Sequence, residues 1–269
     1  MLKFREYKKA ESLQDAYEWN QKKSACVLGG MLWLKMQNRT IQTAIDLSGL
    51  GLDKIEETES EFRIGCMATL RMLEQHPGLC ALTGGAVRES VKDIVGVQFR
   101  NLATVGGSIF GRFGFSDVLT MFLAMDSYVE LYKGGVVPME EFAKRTPDRD
   151  ILVRVIVKKT ERAYTYLSHR NTKTDFPALT CALSLDRDGS GRAVFGATPG
   201  RAASYELKKD WLLAFEKADG EERRRMAEEF SAQIPTGSNL RAGKEFRSHL
   251  AAVLLRRGLE TIGREGETA

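Results

Sequence analysis

The stretch Thr104–Asp117, TVGGSIFGRFGFSD, carries four glycines in fourteen positions and closes on a serine and an acid. A second glycine pair, Gly29-Gly30, follows the short apolar run Ser24–Leu28. A glycine pair at a strand end lets the backbone take positive φ and lets a ligand come close, because no Cβ intervenes. Successive N–H groups in such a turn form a concavity suited to a diphosphate. Ser108 adds a hydroxyl donor, and Asp117 has the chemistry to accept hydrogen bonds from ribose or ribityl hydroxyls. Taken singly, each pair is more often an ordinary turn than a phosphate site. Neither G-x-G-x-x-G nor G-x-x-x-x-G-K-[ST] occurs, so no Rossmann or P-loop nucleotide site is indicated.

The periodicity around these loops predicts an α+β chain. Glu11–Lys22 reads as a helix capped by Ser12, Ser24–Leu28 and Thr43–Leu47 as strands, and Met31–Met36 as a single helical turn. This opening is a β-α-β type unit with a glycine turn at a strand end. Lys54–Thr58 and Glu61–Gly65 read as a hairpin, followed by helices at Thr69–Gln75, Gly78–Ser90 and Val118–Met125. Strand Tyr128–Tyr132 and a turn at Lys133–Val136 precede a short helix at Pro138–Lys144. Composition breaks at Arg145–Asp150, RTPDRD, before a strand at Ile151–Val157. The remainder runs strands first (Ala163–His169, Ala178–Leu185, Ala193–Ala197), with Asp186–Gly191 as a hairpin turn, and helices after. In the last helix Phe246, Leu250, Val253 and Leu254 share an apolar face, with Arg and Lys outside.

Charge narrows the function classes. The 40 basic and 36 acidic side chains are well mixed and give a net charge of +4, which points to no nucleic-acid stripe or membrane patch. Met1–Glu6 becomes charged at once and runs such as Val118–Met125 are too short to span a bilayer, so a cytoplasmic protein is expected. Cys26, Cys66, Cys80 and Cys181 are scattered, and His76, His169 and His249 lie far apart. Their spacing offers no zinc site and no iron–sulfur ligand set.

The two loops together carry a resemblance. VLGGMLWLKM, followed about seventy residues later by QFRNLATVGGSIFGRFGFSD, resembles the FAD-binding medium subunit of the xanthine dehydrogenase and carbon monoxide dehydrogenase family of molybdenum hydroxylases. YLSHRNTKTDFPALTCALSL and NLRAGKEFRSHLAAVLLRRGLE are similar to the start and the closing helix of that family's C-terminal domain, so the likeness spans nearly the whole chain. The resemblance implies a two-subdomain FAD-binding fold of the vanillyl-alcohol oxidase type over residues 1–157, with subdomains of about 1–52 and 53–157. A small α+β C-terminal domain over 158–269 would follow. It implies that Val27, Leu28, Gly29, Gly30, Met31, Leu32 and Trp33 wrap the FAD pyrophosphate from one side, and that Thr104, Gly106, Gly107 and Ser108 hold it from the other. By the same resemblance Asp117 binds the sugar-alcohol part, Ile94 gives an apolar contact to the flavin side, and Ile151 and Leu152 line the adenine or ring pocket.

The chain departs from the family at several points. Met31 and Leu32 replace a polar pair, Ser108 replaces an asparagine, and Gly111, Arg112, Phe113 and Gly114 replace a small-residue and proline stretch. Leu167 and Ser168 stand where the family often has a lysine near the flavin. The expected function is electron transfer through FAD from iron–sulfur clusters to NAD or another acceptor, with no residue acting as general acid or base and no metal bound by this chain. A molybdopterin-binding large subunit and an iron–sulfur small subunit are the partners the resemblance implies. The alternatives are a self-standing flavin oxidoreductase, which needs a substrate base, and a scaffold that has lost FAD.

Overall fold

The computed structural model describes residues 1–267, with side chains to residue 262. Contacts divide it into two compact units that interleave along the sequence. Unit 1 comprises residues 1–73, 95–111 and 127–158, and unit 2 comprises 74–94, 112–126 and 159 onward.

Unit 1 holds two sheets. The first is parallel, in the order Lys3–Lys9, Thr40–Asp46, Ala25–Leu28. Its crossover helix, Leu13–Asn20, starts where Ser12 Oγ accepts from the Asp15 N–H at 3.1 Å, as the Ser12 cap predicts. The edge strand Lys3–Lys9, KFREYKK, was not legible, because it is mostly exposed and charges fall on both of its faces. The second sheet is antiparallel, in the order Ile55–Glu57, Glu61–Gly65, Leu152–Lys158, Ser127–Leu131, Gly135–Pro138. Its centre, LVRVIVK, is almost continuously buried and β-branched, as a strand flanked on both sides requires. The hairpins predicted at 54–65 and 128–136 are both present.

Unit 2 is built on a four-stranded antiparallel meander: Arg162–Arg170, Pro177–Asp186, Gly191–Gly196, Ala203–Leu207. The DRDGSG turn closes through the Asp186 N–H to Ser190 O at 2.8 Å, with Gly189 at φ +86°. Helices Gly220–Ser231 and Lys244–Glu267 pack their apolar faces on the sheet around Leu179, Leu183, Phe195 and Leu255. The single helix predicted over Gly78–Ser90 is two, Pro77–Leu82 and Ala86–Lys92, because Gly84 and Gly85 take positive φ between them.

The face of the last helix is also turned from the prediction. Leu250 and Leu254 are buried, but Phe246 is 45% exposed and Arg247 is fully buried. The Arg247 guanidinium can be interred because every direction it points holds an acceptor: Ala178 O, Gly237 O, Ala242 O and Asn239 Oδ1, at 2.6–2.8 Å. Burial also explains two cysteines. The Cys66 thiol is pushed up to about 12 and that of Cys181 further, as expected of small buried hydrophobes.

Candidate functional site

In unit 1 the two glycine pairs meet. Strand Ala25–Leu28 delivers Gly29 and Gly30 against the segment 102–104. A Cβ on Gly30 would lie 1.9 Å from Leu102 O, and one on Gly29 would lie 2.7 Å from Thr104 Oγ1. The first loop therefore needs glycine for close backbone packing. It does not need it for φ: the left-handed residue is Met31, at φ +60°. Trp33 leaves the loop 40% exposed, with its ring 5.2 Å from that of Phe99.

The main-chain donors of this loop are open. Among the described residues, the N–H groups of Gly29, Gly30, Met31 and Leu32 donate to no backbone or side-chain acceptor. The chain then resumes hydrogen bonding at Lys35 N–H to Met31 O, entering the 3-10 turn Leu34–Met36. Four successive free donors on a partly buried turn form a site that asks for an acceptor.

The second loop differs from the expectation of a donor turn. Thr104 caps a helix, Val105–Phe110, with its Oγ1 accepting from Gly107 N–H at 3.2 Å. Val105 and Gly106 donate to Ala68 O and Cys66 O at 2.9 and 2.8 Å, and Ser108 N–H and Oγ both donate to Thr104 O at 3.1 Å. Neither glycine takes positive φ. Gly106 is glycine because a Cβ would meet Cys66 O at 2.7 Å. Gly107 is not confined in this way. A Cβ there would touch only Thr104 Oγ1, at 3.1 Å, and the residue is exposed. The second loop is thus a tightly bonded wall with one bare position beside the open donors of the first.

Ile151 and Leu152, also in unit 1, are 1% and 5% exposed at the start of the central strand Leu152–Lys158. Val27 and Leu28 lie on the strand before the first loop, Leu28 buried and Val27 half-buried.

The other residues singled out in the sequence lie in unit 2. Ile94 is half-buried just after helix Ala86–Lys92, ahead of Val95 at φ +50°. Arg112 is 3% exposed at φ +46°. Gly114 packs on the 197–200 turn, its carbonyl accepting from Ala197 N–H at 2.6 Å, while Phe113 and Phe115 stack outward. Asp117 opens the helix Asp117–Ala124, whose cap is Ser116 Oγ. Its carboxylate is buried, with Oδ1 accepting from Tyr166 Oη and from Arg170 Nη2, each at 2.5 Å. Burial raises the Asp117 carboxyl to about 6, with Arg170 and then Tyr166 pulling it back, and burial beside Asp117 raises the Tyr166 phenol. Tyr166 and Arg170 were missed in the sequence, although Y-x-x-x-R at even spacing on a strand places both on one face.

A model of the family described as the FAD binding domain in molybdopterin dehydrogenase matches residues 2–160, more than half of the chain. The chain belongs to that family. FAD is the cofactor of the domain. Among curated proteins, the uncharacterized YgfM of Escherichia coli K12 is 26% identical over 170 residues, covering 63% of this chain and 64% of YgfM. The chain thus spans a little under two thirds of the length of that relative. Among solved structures, a carbon monoxide dehydrogenase from Hydrogenophaga pseudoflava lacking the Mo-pyranopterin moiety aligns with TM-score 0.82 at 20% identity, covering 96% of this chain and 97% of its own. Quinoline 2-oxidoreductase from Pseudomonas putida 86 aligns with TM-score 0.82 at 17% identity over 96% of both chains. Reconstituted CO dehydrogenase from Oligotropha carboxidovorans aligns with TM-score 0.79 at 21% identity over 96% and 97%. These likenesses extend the shared fold beyond the matched FAD-binding domain into the C-terminal strands and helices.

For the FAD-binding domain the open donors acquire a natural acceptor. A dinucleotide's diphosphate carries anionic oxygens, and the first loop presents N–H groups to receive them without any change in its own hydrogen bonding. Met31 and Leu32, which depart from the family's polar pair, keep their amides in this set. The residues present fit the cofactor at the first loop through the main chain alone.

Proposed function

We propose that this chain is the FAD-binding, electron-transferring subunit of a molybdenum hydroxylase, passing electrons from iron–sulfur clusters on a partner to NAD or another acceptor. The observation that carries the reading is the run of four unpartnered amides at Gly29–Leu32 packed against Thr104. FAD supplies the chemistry, taking electrons singly and releasing them as a pair. The protein supplies position. Gly29, Gly30, Met31 and Leu32 donate to the diphosphate, with Val27, Leu28 and Trp33 shaping the rest of that turn. Thr104, Gly106, Gly107 and Ser108 form the opposite wall, where bare Gly107 allows close approach. Asp117 accepts from polyol hydroxyls, and Ile94, Ile151 and Leu152 give apolar contact. The partners are a molybdopterin-binding large subunit and an iron–sulfur small subunit.

One observation favours a second reading, a scaffold that has lost FAD: every amide from Val105 to Ser108 is bonded within the protein. The absorbance spectrum of the purified chain separates the two, since a colourless protein that stays so after incubation with FAD sinks the first. Metal analysis of the protein purified from its source tests the partnership. Iron and molybdenum on two further chains support it, and a lone, metal-free, fully active substrate oxidase refutes it.

A further inference from the structure

Tyr166 and Arg170 lie on one face of strand Arg162–Arg170 and reach Asp117 across 49 and 53 residues of sequence. Both donors end on the same oxygen, Oδ1, and neither engages Oδ2. The guanidinium is fixed from its other side by Nη1 to Asp175 O at 2.6 Å, so it is clamped between main chain and carboxylate. Ser116 Oγ accepts from the Leu119 N–H at 3.1 Å and caps the helix that carries Asp117. Asp117 and Arg170 side chains are only 6% and 7% exposed. A carboxylate so buried takes up a proton unless donors hold its charge, and a protonated acid donates where an ionised one accepts.

We infer that Tyr166 and Arg170 are positioning residues for the cofactor: by saturating Oδ1 they orient Asp117 and keep Oδ2 as an acceptor for a polyol hydroxyl of FAD. The inference rests on the reading of this chain as FAD-binding with Asp117 in contact with the cofactor. It assigns the two residues more than a structural tie between helix Asp117–Ala124 and the sheet of unit 2. Arginine suits the task because its planar fork reaches Asp175 O and Asp117 Oδ1 together, whereas lysine supplies the charge from a single point.

The test uses the full chain stripped of flavin and titrated with FAD, following flavin fluorescence, with thermal unfolding of the apoprotein measured in parallel. Tyr166→Phe removes one oxygen and leaves the ring, so it carries the test even where an arginine variant fails to fold. Tyr166→Phe should weaken FAD about tenfold, the effect of one hydrogen bond to a charged group. Arg170→Met should weaken it further, and Arg170→Lys should recover part of the loss. In an Asp117→Asn background Tyr166→Phe should have no additional effect on FAD, since the oxygen it positions no longer bears the charge. The inference is overturned if Tyr166→Phe leaves FAD affinity within about twofold of wild type while lowering apoprotein stability, or if its effect adds in full to that of Asp117→Asn. A wild-type chain that takes up no FAD overturns the functional reading itself, and this inference with it.

Discussion

Gly107 is the position at which packing and ligand approach can be separated. Three neighbouring glycines are held by the protein's own atoms: a Cβ would meet Leu102 O at 1.9 Å from Gly30, Thr104 Oγ1 at 2.7 Å from Gly29 and Cys66 O at 2.7 Å from Gly106. At Gly30 the backbone must separate by more than an ångström, so Gly30→Ala should cost on the order of 1–3 kcal/mol or more, as overpacking does. Gly107→Ala meets only the Thr104 hydroxyl, at 3.1 Å, which a shift of a few tenths of an ångström relieves. In return alanine stabilises the helix Val105–Phe110 by about 0.5–1 kcal/mol over glycine. Gly107→Ala should therefore keep the melting temperature within about 2–4 °C of wild type, the shift expected for 1 kcal/mol in a domain of this size. Its FAD affinity should nevertheless fall at least about tenfold, because the new methyl occupies the face a diphosphate approaches, and Gly107→Val should abolish binding. Differential scanning fluorimetry of the apoprotein and FAD titration give the two numbers. A Gly107→Val protein with undiminished FAD content would show that the second loop is a turn and nothing more.

Four further outcomes are expected. Acid precipitation should release all flavin into the supernatant, because neither loop offers a histidine or cysteine for a covalent link. Asp117 should make apoprotein stability depend on pH: its folded pKa of about 6 exceeds the unfolded value, so the folded chain binds the extra proton in that window. Wild type should therefore gain stability relative to Asp117→Asn as the pH falls from about 6 toward about 4, and show no such trend above about 7; thermal melts across that range check the sign. Arg247→Met should destabilise unit 2 by about 1–3 kcal/mol in chemical denaturation, since it strips donors from the buried carbonyl of Ala178 and the partly buried carbonyls of Gly237 and Ala242. Assayed alone, the chain should reduce a dye with NADH or do nothing, and hydroxylation of a purine by it would contradict the proposed division of labour.

Local features were legible because they depend on neighbours in sequence. The Ser12 cap, the hairpins and the DRDGSG turn all follow from residues within a few positions of one another. The two glycine loops were legible for the same reason, and so was their likeness to a flavin-binding family. The strand Lys3–Lys9 was not, since a charged edge strand is recognised only by the partner strand Thr40–Asp46 that completes it.

The sequence by itself determined where glycines stand and which donors and acceptors the chain possesses. It did not determine which of them are already engaged. The amides of Val105 and Gly106 are consumed by carbonyls of Ala68 and Cys66, nearly forty residues upstream, while those of Gly29–Leu32 stay open. Asp117, read from the sequence only as an acceptor for cofactor hydroxyls, is buried and bonded to Tyr166 and Arg170. Arg247 changes places with Phe246 because acceptors from the distant strand residue Ala178 and from the loop 237–242 converge on its guanidinium. A hydrogen-bonding group carries the same chemistry in any fold; whether it is spent or available depends on what the tertiary structure brings within 3 Å of it, as a buried donor must find some acceptor.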